Sequence, residues 1–168
     1  STLTENAQKH LEMMKNSEGD NSGVNTGIKD LDKLVFGLGE GELFILAARP
    51  SVGKSAIAAN IAINSARERK HILFYSMEMS SDAIIERMMG IDSKFSSYQY
   101  KSRFGADLDE RLSQATSKLN ELDIYIHDGA NLSWNEVKAS IWSHIENHTK
   151  PDLIIIDYLQ LMSIKGFK

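Results

Sequence analysis

The chain has 168 residues, of which 42% are hydrophobic and 25% charged, as in globular domains that bury one substantial core. A formal net charge of −4 gives no overall basic field that would attract DNA or an anionic membrane. Cysteine is absent, which excludes disulfides and thiolate metal sites and agrees with a reducing cytosol. Because the sequence also lacks a membrane-length apolar run and a signal-peptide pattern, we expect a cytoplasmic protein without a membrane partner.

The first 23 residues differ in character from the rest of the chain. Residues 1–16 carry apolar side chains at helical spacing, and a loop rich in serine, asparagine and glycine follows them. We therefore predict a linker helix and a flexible polar linker over residues 1–23, and a globular domain over 24–168. The apolar stripe of this helix either folds back on its own domain or docks on another subunit, and it consists of Leu3, Ala7, Leu11 and Met14.

Within the globular domain, short apolar segments alternate with amphipathic ones. The intervening segments predict helices, one beginning at Lys54 and one ending at Gly90, while Ser80 to Asp82 and Ser133 to Glu136 have the pattern of helix N-caps. This alternation predicts an α/β fold, with a parallel sheet between two helical layers. A strand that is apolar at every position is typical of one buried on both faces, and the predicted strands are 43–47, 72–77, 124–127 and 153–156.

The segment between the first predicted strand and the first long helix has the form of a phosphate-binding P-loop. Successive backbone N–H groups of such a loop converge on a phosphate, and the N-terminus of the following helix adds its own N–H groups. Gly53 allows a close approach of the backbone, Lys54 supplies a positive charge, and the Ser55 hydroxyl can ligate Mg²⁺. The predicted phosphate-binding residues are Ala48, Arg49, Pro50, Ser51, Val52, Gly53, Lys54 and Ser55.

One position of this loop departs from the general pattern, which begins with glycine where this chain has Ala48. Alanine does not readily adopt a positive φ, so we expect the chain to enter the loop with a negative φ and Pro50 to stiffen it further. Arg49 has two interpretations: it contacts phosphate or a neighbouring subunit, or it faces solvent.

Two carboxylates follow predicted strands. Asp157 comes after four large apolar residues, where an unpaired carboxylate would be costly, and Mg²⁺ on a nucleotide is its natural partner through water. Glu78 follows another strand and is placed to orient or deprotonate an attacking water. Each residue has a plainer interpretation as a turn cap or an exposed strand-end side chain. Since ligands bind at the carboxyl ends of parallel strands, we expect the P-loop, Glu78 and Asp157 at one edge of the sheet.

Two other patterns have weaker functional interpretations. His144 and His148 have the spacing of a two-histidine metal face, but they lack the zinc-protease pattern and an evident third ligand, which favours a structural role. Residues 95–104 mix aromatic and basic side chains, as a surface for single-stranded nucleic acid would. Their low charge and lack of periodicity favour a partly packed surface loop.

Together these motifs resemble those of the DnaB-type replicative DNA helicases, a group of RecA-like ATPases. The resemblance extends from about Val24 to Met162, and the helix and linker before it look like the linker helix of that family. The motifs that carry it are Thr26-Gly27 with Leu31-Asp32, Ala47 to Ser55, Ser76-Met77-Glu78-Met79, and Asp157-Tyr158-Leu159-Gln160-Leu161-Met162.

The resemblance implies a homo-hexameric ring that uses ATP and Mg²⁺ to translocate on single-stranded DNA and to unwind duplex DNA during replication. By matched position, Lys54 and Ser55 hold phosphate and Mg²⁺, Glu78 is the catalytic carboxylate, and Asp157 is the second acid of the metal site. Primase and a helicase loader are further expected partners.

This sequence ends soon after the strand that carries Asp157, whereas the family continues with its DNA-gripping channel loops, a polar sensor and an arginine finger. We therefore expect a partial RecA-like ATPase domain, truncated after the Walker B strand, that binds nucleotide and hydrolyses it poorly alone. Two alternatives stay open: a nucleotide-binding module that docks on intact helicase rings, and another RecA-like recombination ATPase.

Overall fold

The computed structural model describes residues 4–5, 7–8, 23–49, 51–94, 108–129 and 132–157. Thr4, Glu5, Ala7 and Gln8 have helical backbone, while the rest of the predicted linker helix lies outside the described residues. The aromatic and basic segment 95–104, Pro50 of the loop and residues 158–162 of the last motif also lie outside them.

Five helices and three strands form the described part of the globular domain. In chain order they are α1 (Lys29–Val35), α2 (Lys54–Arg67), β1 (Ile72–Ser76), α3 (Ser81–Ser93), α4 (Leu108–Asn120), β2 (Ile124–Asp128), α5 (Trp134–Asn147) and β3 (Leu153–Asp157). The sheet order is β2-β1-β3 and both pairings are parallel, as the alternation of strands and helices predicted. Within the described part of the chain, none of the helices has the length and apolarity needed to cross a membrane.

The central strand β1 is buried at all five positions because helices cover both of its faces. Ile72 and Phe74 pack against α2 and α3, in a cluster that includes Ile63 and Ile84. Leu73 and Tyr75 point to the other face, and there the cluster includes Val137 of α5. This period-two division of one strand between two cores produces the predicted three-layer arrangement.

Helix termini follow local chemistry where the predicted caps occur. The Ser80 hydroxyl accepts a hydrogen bond from the Ala83 amide, and Ser133 with Glu136 forms a complete capping box at the start of α5. The prediction that Gly90 ends its helix is wrong, because α3 continues to Ser93. An interior glycine costs a helix only about 1 kcal/mol relative to alanine, and the apolar packing of α3 on both sides of Gly90 outweighs that cost.

The predicted strand 43–47 does not form. Residues 42–49 have no ladder partner among the described residues, and their side chains are exposed, with Leu43 at 81% and Ile45 at 77%. The continuous apolar run indicated burial on both faces, but burial requires covering layers as well as apolar side chains. Here the sheet that the structure describes ends at β3, and two helical layers do not extend over residues 43–47.

Thr26, Gly27 and Asp32, part of the first motif in the family resemblance, have a structural role. The Asp32 carboxylate accepts hydrogen bonds from the Thr26 amide at 2.8 Å, the Thr26 hydroxyl at 2.7 Å and the Gly27 amide at 3.0 Å. Asn64 of α2 donates to the Thr26 carbonyl at 3.0 Å. Gly27 has a φ of +73°, and a Cβ there would lie 2.5 Å from Asn64, so only glycine fits. These contacts attach the segment around Thr26 to helix α2.

A group of histidines lies between α5 and the sheet, away from the carboxyl ends of the strands. His71 Nε2 and His144 Nε2 are 2.8 Å apart and both side chains are buried. One ring must donate and the other accept, so the contact cannot hold two imidazolium rings. His71 Nδ1 lies 2.8 Å from Asp123 Oδ2, a close contact without hydrogen-bond alignment. Further titratable groups around His144 are Tyr125, His127 and His148.

This arrangement predicts a loss of stability in mild acid. Burial lowers the pKa of His144 below its ordinary value of 6.5, and the neighbouring histidines lower it further against the opposing effect of Asp123. The unfolded chain therefore binds this proton more readily, and stability falls as the pH drops through about 6.5 towards the folded pKa. The slope from one such group is at most about 1.4 kcal/mol per pH unit.

Urea unfolding between pH 5.5 and 7.5 measures this effect. We expect the wild-type midpoint to fall with acidity and the dependence to be smaller in His144→Gln, whose amide can still bond to His71 without titrating. The same pH dependence in both proteins would contradict the assignment to His144.

The exposure of residues 43–47 gives a second prediction. Ile45→Ala should change the free energy of unfolding by less than about 0.5 kcal/mol, because Ile45 is exposed. Ile72→Ala is the matched control at a fully buried position and should cost about 2–5 kcal/mol. A cost for Ile45→Ala that approaches the cost at Ile72 in urea titrations would mean that the predicted buried strand forms after all.

Candidate nucleotide-binding site

The predicted P-loop has an unusual backbone. Gly53 has a φ of +108° and is the N-cap of α2, which begins at Lys54 as predicted. Ser51 also has a positive φ, of +65°, which non-glycine residues adopt at a cost. Ala48 is not among the described positive-φ residues, in agreement with the expected entry into the loop. The Val52 amide donates to the Arg49 carbonyl at 3.4 Å, which turns the chain towards the helix.

The start of α2 has the chemistry of an anion site. Its first turn contains no acidic residue, and the N-cap Gly53 offers no side-chain acceptor. The first amides of an α-helix have no intrahelical acceptor and lie at the positive end of its dipole. A Cβ added to Gly53 would meet no described atom within 4 Å, so the space before the helix is open. The positive φ, rather than crowding, therefore requires glycine at this position.

Lys54 and Asp157 are about one hundred residues apart in sequence and form an ion pair at this edge of the sheet. Lys54 Nζ lies 3.1 Å from Asp157 Oδ1, and the two side chains are 24% and 4% exposed. Asp157 is the last residue of β3, so the strand ends in a buried carboxylate and the lysine compensates its charge. The structure thus brings together the two charged groups that the sequence assigned to phosphate and to metal.

Backbone contacts of the preceding residues connect Glu78 to this ion pair. Ser76, the last residue of β1, is in register with Asp157, and the Met77 amide donates to the Asp157 carbonyl at 2.8 Å. Glu78 follows directly, in a non-helical segment before α3, and its side chain is exposed. The parallel sheet therefore places Glu78, Lys54 and Asp157 at one edge, as predicted.

A cavity of about 390 Å³ opens at the same edge, lined by residues 76–80 together with Asp128 and Gly129. Asp128 ends β2, and its Oδ2 accepts a hydrogen bond from the Ser81 amide at 2.6 Å. That amide lowers the pKa of the Asp128 carboxyl below its ordinary value. Sequence reasoning did not single out Asp128, although its position after a strand is the signal that identified Glu78 and Asp157.

Other predicted groups have no part in this cluster. Arg49 is exposed, and no described contact selects between its two interpretations. His144 and His148 belong to the histidine group under α5, in keeping with the structural role favoured above. Across the described residues, no set of three or more His, Cys, Asp or Glu side chains is arranged to hold a metal ion. The expected Mg²⁺ site differs in kind, since one hydroxyl, one carboxylate, phosphate oxygens and water would supply its ligands.

The fold and the placement of this site at the carboxyl ends of parallel strands define a RecA-like α/β domain. One solved ATPase domain superposes with a TM-score of 0.88 at 26% identity, covering 100% of this chain and 61% of that one. A DnaB-like replicative helicase, solved in a study that also describes its interactions with primase, superposes with a TM-score of 0.86 at 24% identity. That second match covers 100% of this chain and 42% of the other, and it supports the fold alone.

Residues 23–168 match the model of the DnaB-like helicase C-terminal domain, and the chain belongs to that family. Replicative DNA helicase DnaB of Geobacillus stearothermophilus is 31% identical over 159 residues, which are 94% of this chain and 35% of the relative. Replicative DNA helicase DnaB of Buchnera aphidicola subsp. Schizaphis graminum is 37% identical over 148 residues, which are 85% and 31% of the two chains. This chain spans about a third of the length of these relatives.

The ion pair predicts a stability defect at the P-loop lysine. Lys54→Ala leaves the buried Asp157 carboxylate without its cation, and we expect a cost of about 1–3 kcal/mol in the free energy of unfolding. The double variant Lys54→Ala/Asp157→Asn should recover part of this loss, because the uncompensated charge is gone. The control is Lys70→Ala, since Lys70 lies 3.8 Å from Asp152 in a more exposed pair and should change stability by less than about 0.5 kcal/mol. Equal costs for the two alanine variants would contradict the compensating role of Lys54.

Proposed function

We propose that this chain is the ATP-binding core of a replicative DNA helicase. In this proposal, hydrolysis of ATP drives translocation on single-stranded DNA and unwinding of duplex DNA during replication. The observation that carries the proposal is the ion pair of Lys54 and Asp157, 3.1 Å apart at the start of α2, in a chain of the DnaB-like family.

The site residues have complementary roles in this proposal. The loop from Ala48 to Ser55 surrounds the phosphates with backbone N–H groups, and Lys54 adds a charge at the β- and γ-phosphates. The Ser55 hydroxyl, and Asp157 through water, would hold Mg²⁺, which neutralises charge on the transferred phosphoryl group. Glu78 orients and deprotonates the attacking water as the catalytic carboxylate.

The Lys54–Asp157 ion pair supports this assignment on electrostatic grounds. Lys54 would hold phosphate and Asp157 would hold Mg²⁺ through water, so the two side chains are expected close together at a site for an Mg²⁺-bound nucleotide. The protein itself provides a matched pair of charges at that position, with the carboxylate almost fully buried. Ligand charges of the same two signs can therefore replace the intramolecular partners without leaving a buried charge unpaired.

The assembly of the protein is part of the proposal. We propose a cytoplasmic homo-hexameric ring, with residues 1–23 as a linker helix and polar linker that joins subunits and 24–168 as the ATPase domain. Single-stranded DNA, primase and a helicase loader are the proposed partners, through segments other than the described site. The names of these relatives, both replicative DNA helicases, support DNA as a partner, and the primase interactions described for a helicase of the same fold are the basis for proposing primase.

Two variants test the proposal. Lys54→Ala should weaken binding of ATP–Mg²⁺ to this chain in calorimetric titrations, because the charge at the β- and γ-phosphates is lost. Glu78→Gln should leave that affinity within about twofold and slow turnover in the full-length protein by at least about 100-fold. Glu86→Gln, an exposed glutamate on α3, is the matched control for both measurements.

The pattern of results separates the alternatives. Binding that depends on Lys54, without turnover in the full-length protein, would indicate a nucleotide-binding module that docks on helicase rings. Equal affinity of Lys54→Ala and wild type would refute the nucleotide site itself. Turnover that Glu78→Gln does not slow would remove Glu78 from the catalytic role.

A further inference from the structure

We propose that Asp128, together with the Ser76 hydroxyl, is a positioning residue that fixes the segment carrying Glu78. This segment, residues 77–80, is called the Glu78 segment below. The inference rests on the proposed function in one respect, since it takes Glu78 as the catalytic carboxylate. Asp128 itself does not touch the reacting atoms in this proposal; it acts through the backbone that holds Glu78.

The near end of the Glu78 segment is fixed to β3. The Met77 amide donates to the Asp157 carbonyl at 2.8 Å, and Met77 is buried. The residue immediately before Glu78 is therefore bound to the residue that pairs with Lys54. This contact fixes only one end of the Glu78 segment relative to the ion pair.

The buried Ser76 hydroxyl closes the segment into a turn. It donates to the Met79 carbonyl at 2.7 Å and accepts from the Met79 amide at 3.3 Å, so both backbone polar groups of Met79 are held. Ser76 is 1% exposed, which leaves its hydroxyl few other partners. Glu78 is the residue just before this double contact, which restricts the movement of its backbone.

Asp128 fixes the far end. Its Oδ2 accepts from the Ser81 amide at 2.6 Å, at the first residue of α3, and the Gly129 amide donates to the Ser76 carbonyl at 3.2 Å. The segment is thus anchored to β3 on one side and to β2 on the other. Because Asp128 lies at a helix N-terminus and accepts from its amide, its negative charge strengthens the contact.

The functional consequence follows from the demands of general base catalysis. A carboxylate must lie within about 3 Å of the water that it activates, and a displacement of about 1 Å can cost about 100-fold in rate. Glu78 is exposed and lies on a short non-helical segment, so its precision depends on the anchors at 76, 128 and 157. Loss of the Asp128 anchor should therefore lower turnover while the P-loop continues to bind nucleotide.

The first experiment uses the full-length protein. We expect Asp128→Ala, which removes the acceptor of the Ser81 amide, to lower kcat for ATP by about 10- to 100-fold with KM and ATP affinity unchanged, and Asp82→Ala to leave kcat unchanged. Asp82 is the matched control because it is an exposed aspartate in the first turn of the same helix. In the double variant Glu78→Gln/Asp128→Ala, kcat should be no lower than in Glu78→Gln, since positioning has no effect without the carboxylate.

Two outcomes of this experiment would overturn the proposal. A kcat for Asp128→Ala within about twofold of wild type would show that Asp128 only caps α3. Losses that multiply in the double variant would show that Asp128 acts independently of Glu78, as a catalytic group of its own.

The second experiment does not depend on turnover. In this chain, amide hydrogen exchange at Ser81 should be at least about tenfold faster in Asp128→Ala than in wild type or Asp82→Ala, and exchange at Met79 should be faster in Ser76→Ala. Unchanged exchange at Ser81 in Asp128→Ala would overturn the anchor whether or not the protein hydrolyses ATP. If wild-type protein shows the anchors but no turnover, the proposed function fails and the anchors at Ser76 and Asp128 still stand.

Discussion

The ion pair between Lys54 and Asp157 is the contact on which the candidate site depends. A carboxylate at the end of a buried strand is costly unless a cation meets it, and Lys54 provides that cation at 3.1 Å. The pair also links the start of α2 to the end of β3. Because residues 43–47 make no ladder with the sheet that the structure describes, the P-loop takes its position from α2 and from this pair.

Parallel pairing then determines which groups can join the site. In the register of the sheet, Ser76 lies between Asp128 of β2 and Asp157 of β3, so three strand ends deliver polar groups to one edge. The segments that follow these strands leave the sheet at the same level and bond to one another there. Polar groups meet at this edge because the three strands run in the same direction, whereas the histidines around His71 and His144 contribute to the packing of α5.

The sequence predicted the features that depend on local pattern and missed the features that depend on packing or contacts with distant segments. Strands around 72–76, 124–128 and 153–157, the cap at Ser80 and the capping box at Ser133 follow from patterning and hydrogen bonding over a few residues. The predictions of a strand at 43–47 and of a helix end at Gly90 were wrong. The apolar run at 43–47 has the capacity for burial but lacks a covering layer, whereas the packing of α3 outweighs the cost of an interior glycine. The role proposed for Asp128 depends on a contact 47 residues away, which no local pattern carries.

Binding and catalysis accordingly place different demands on this chain. Phosphate binding needs one loop and the helix that follows it, so a short contiguous motif can encode almost all of it. Catalysis needs Glu78 held at a fixed position relative to the P-loop. Two contacts determine that position: the hydrogen bond from Met77, after β1, to Asp157 of β3, and the ion pair of Asp157 with Lys54 of α2. Small displacements at the Met77 contact shift the carboxylate but leave the loop intact. Loss of turnover with retained binding is therefore the defect that most changes outside the P-loop should cause.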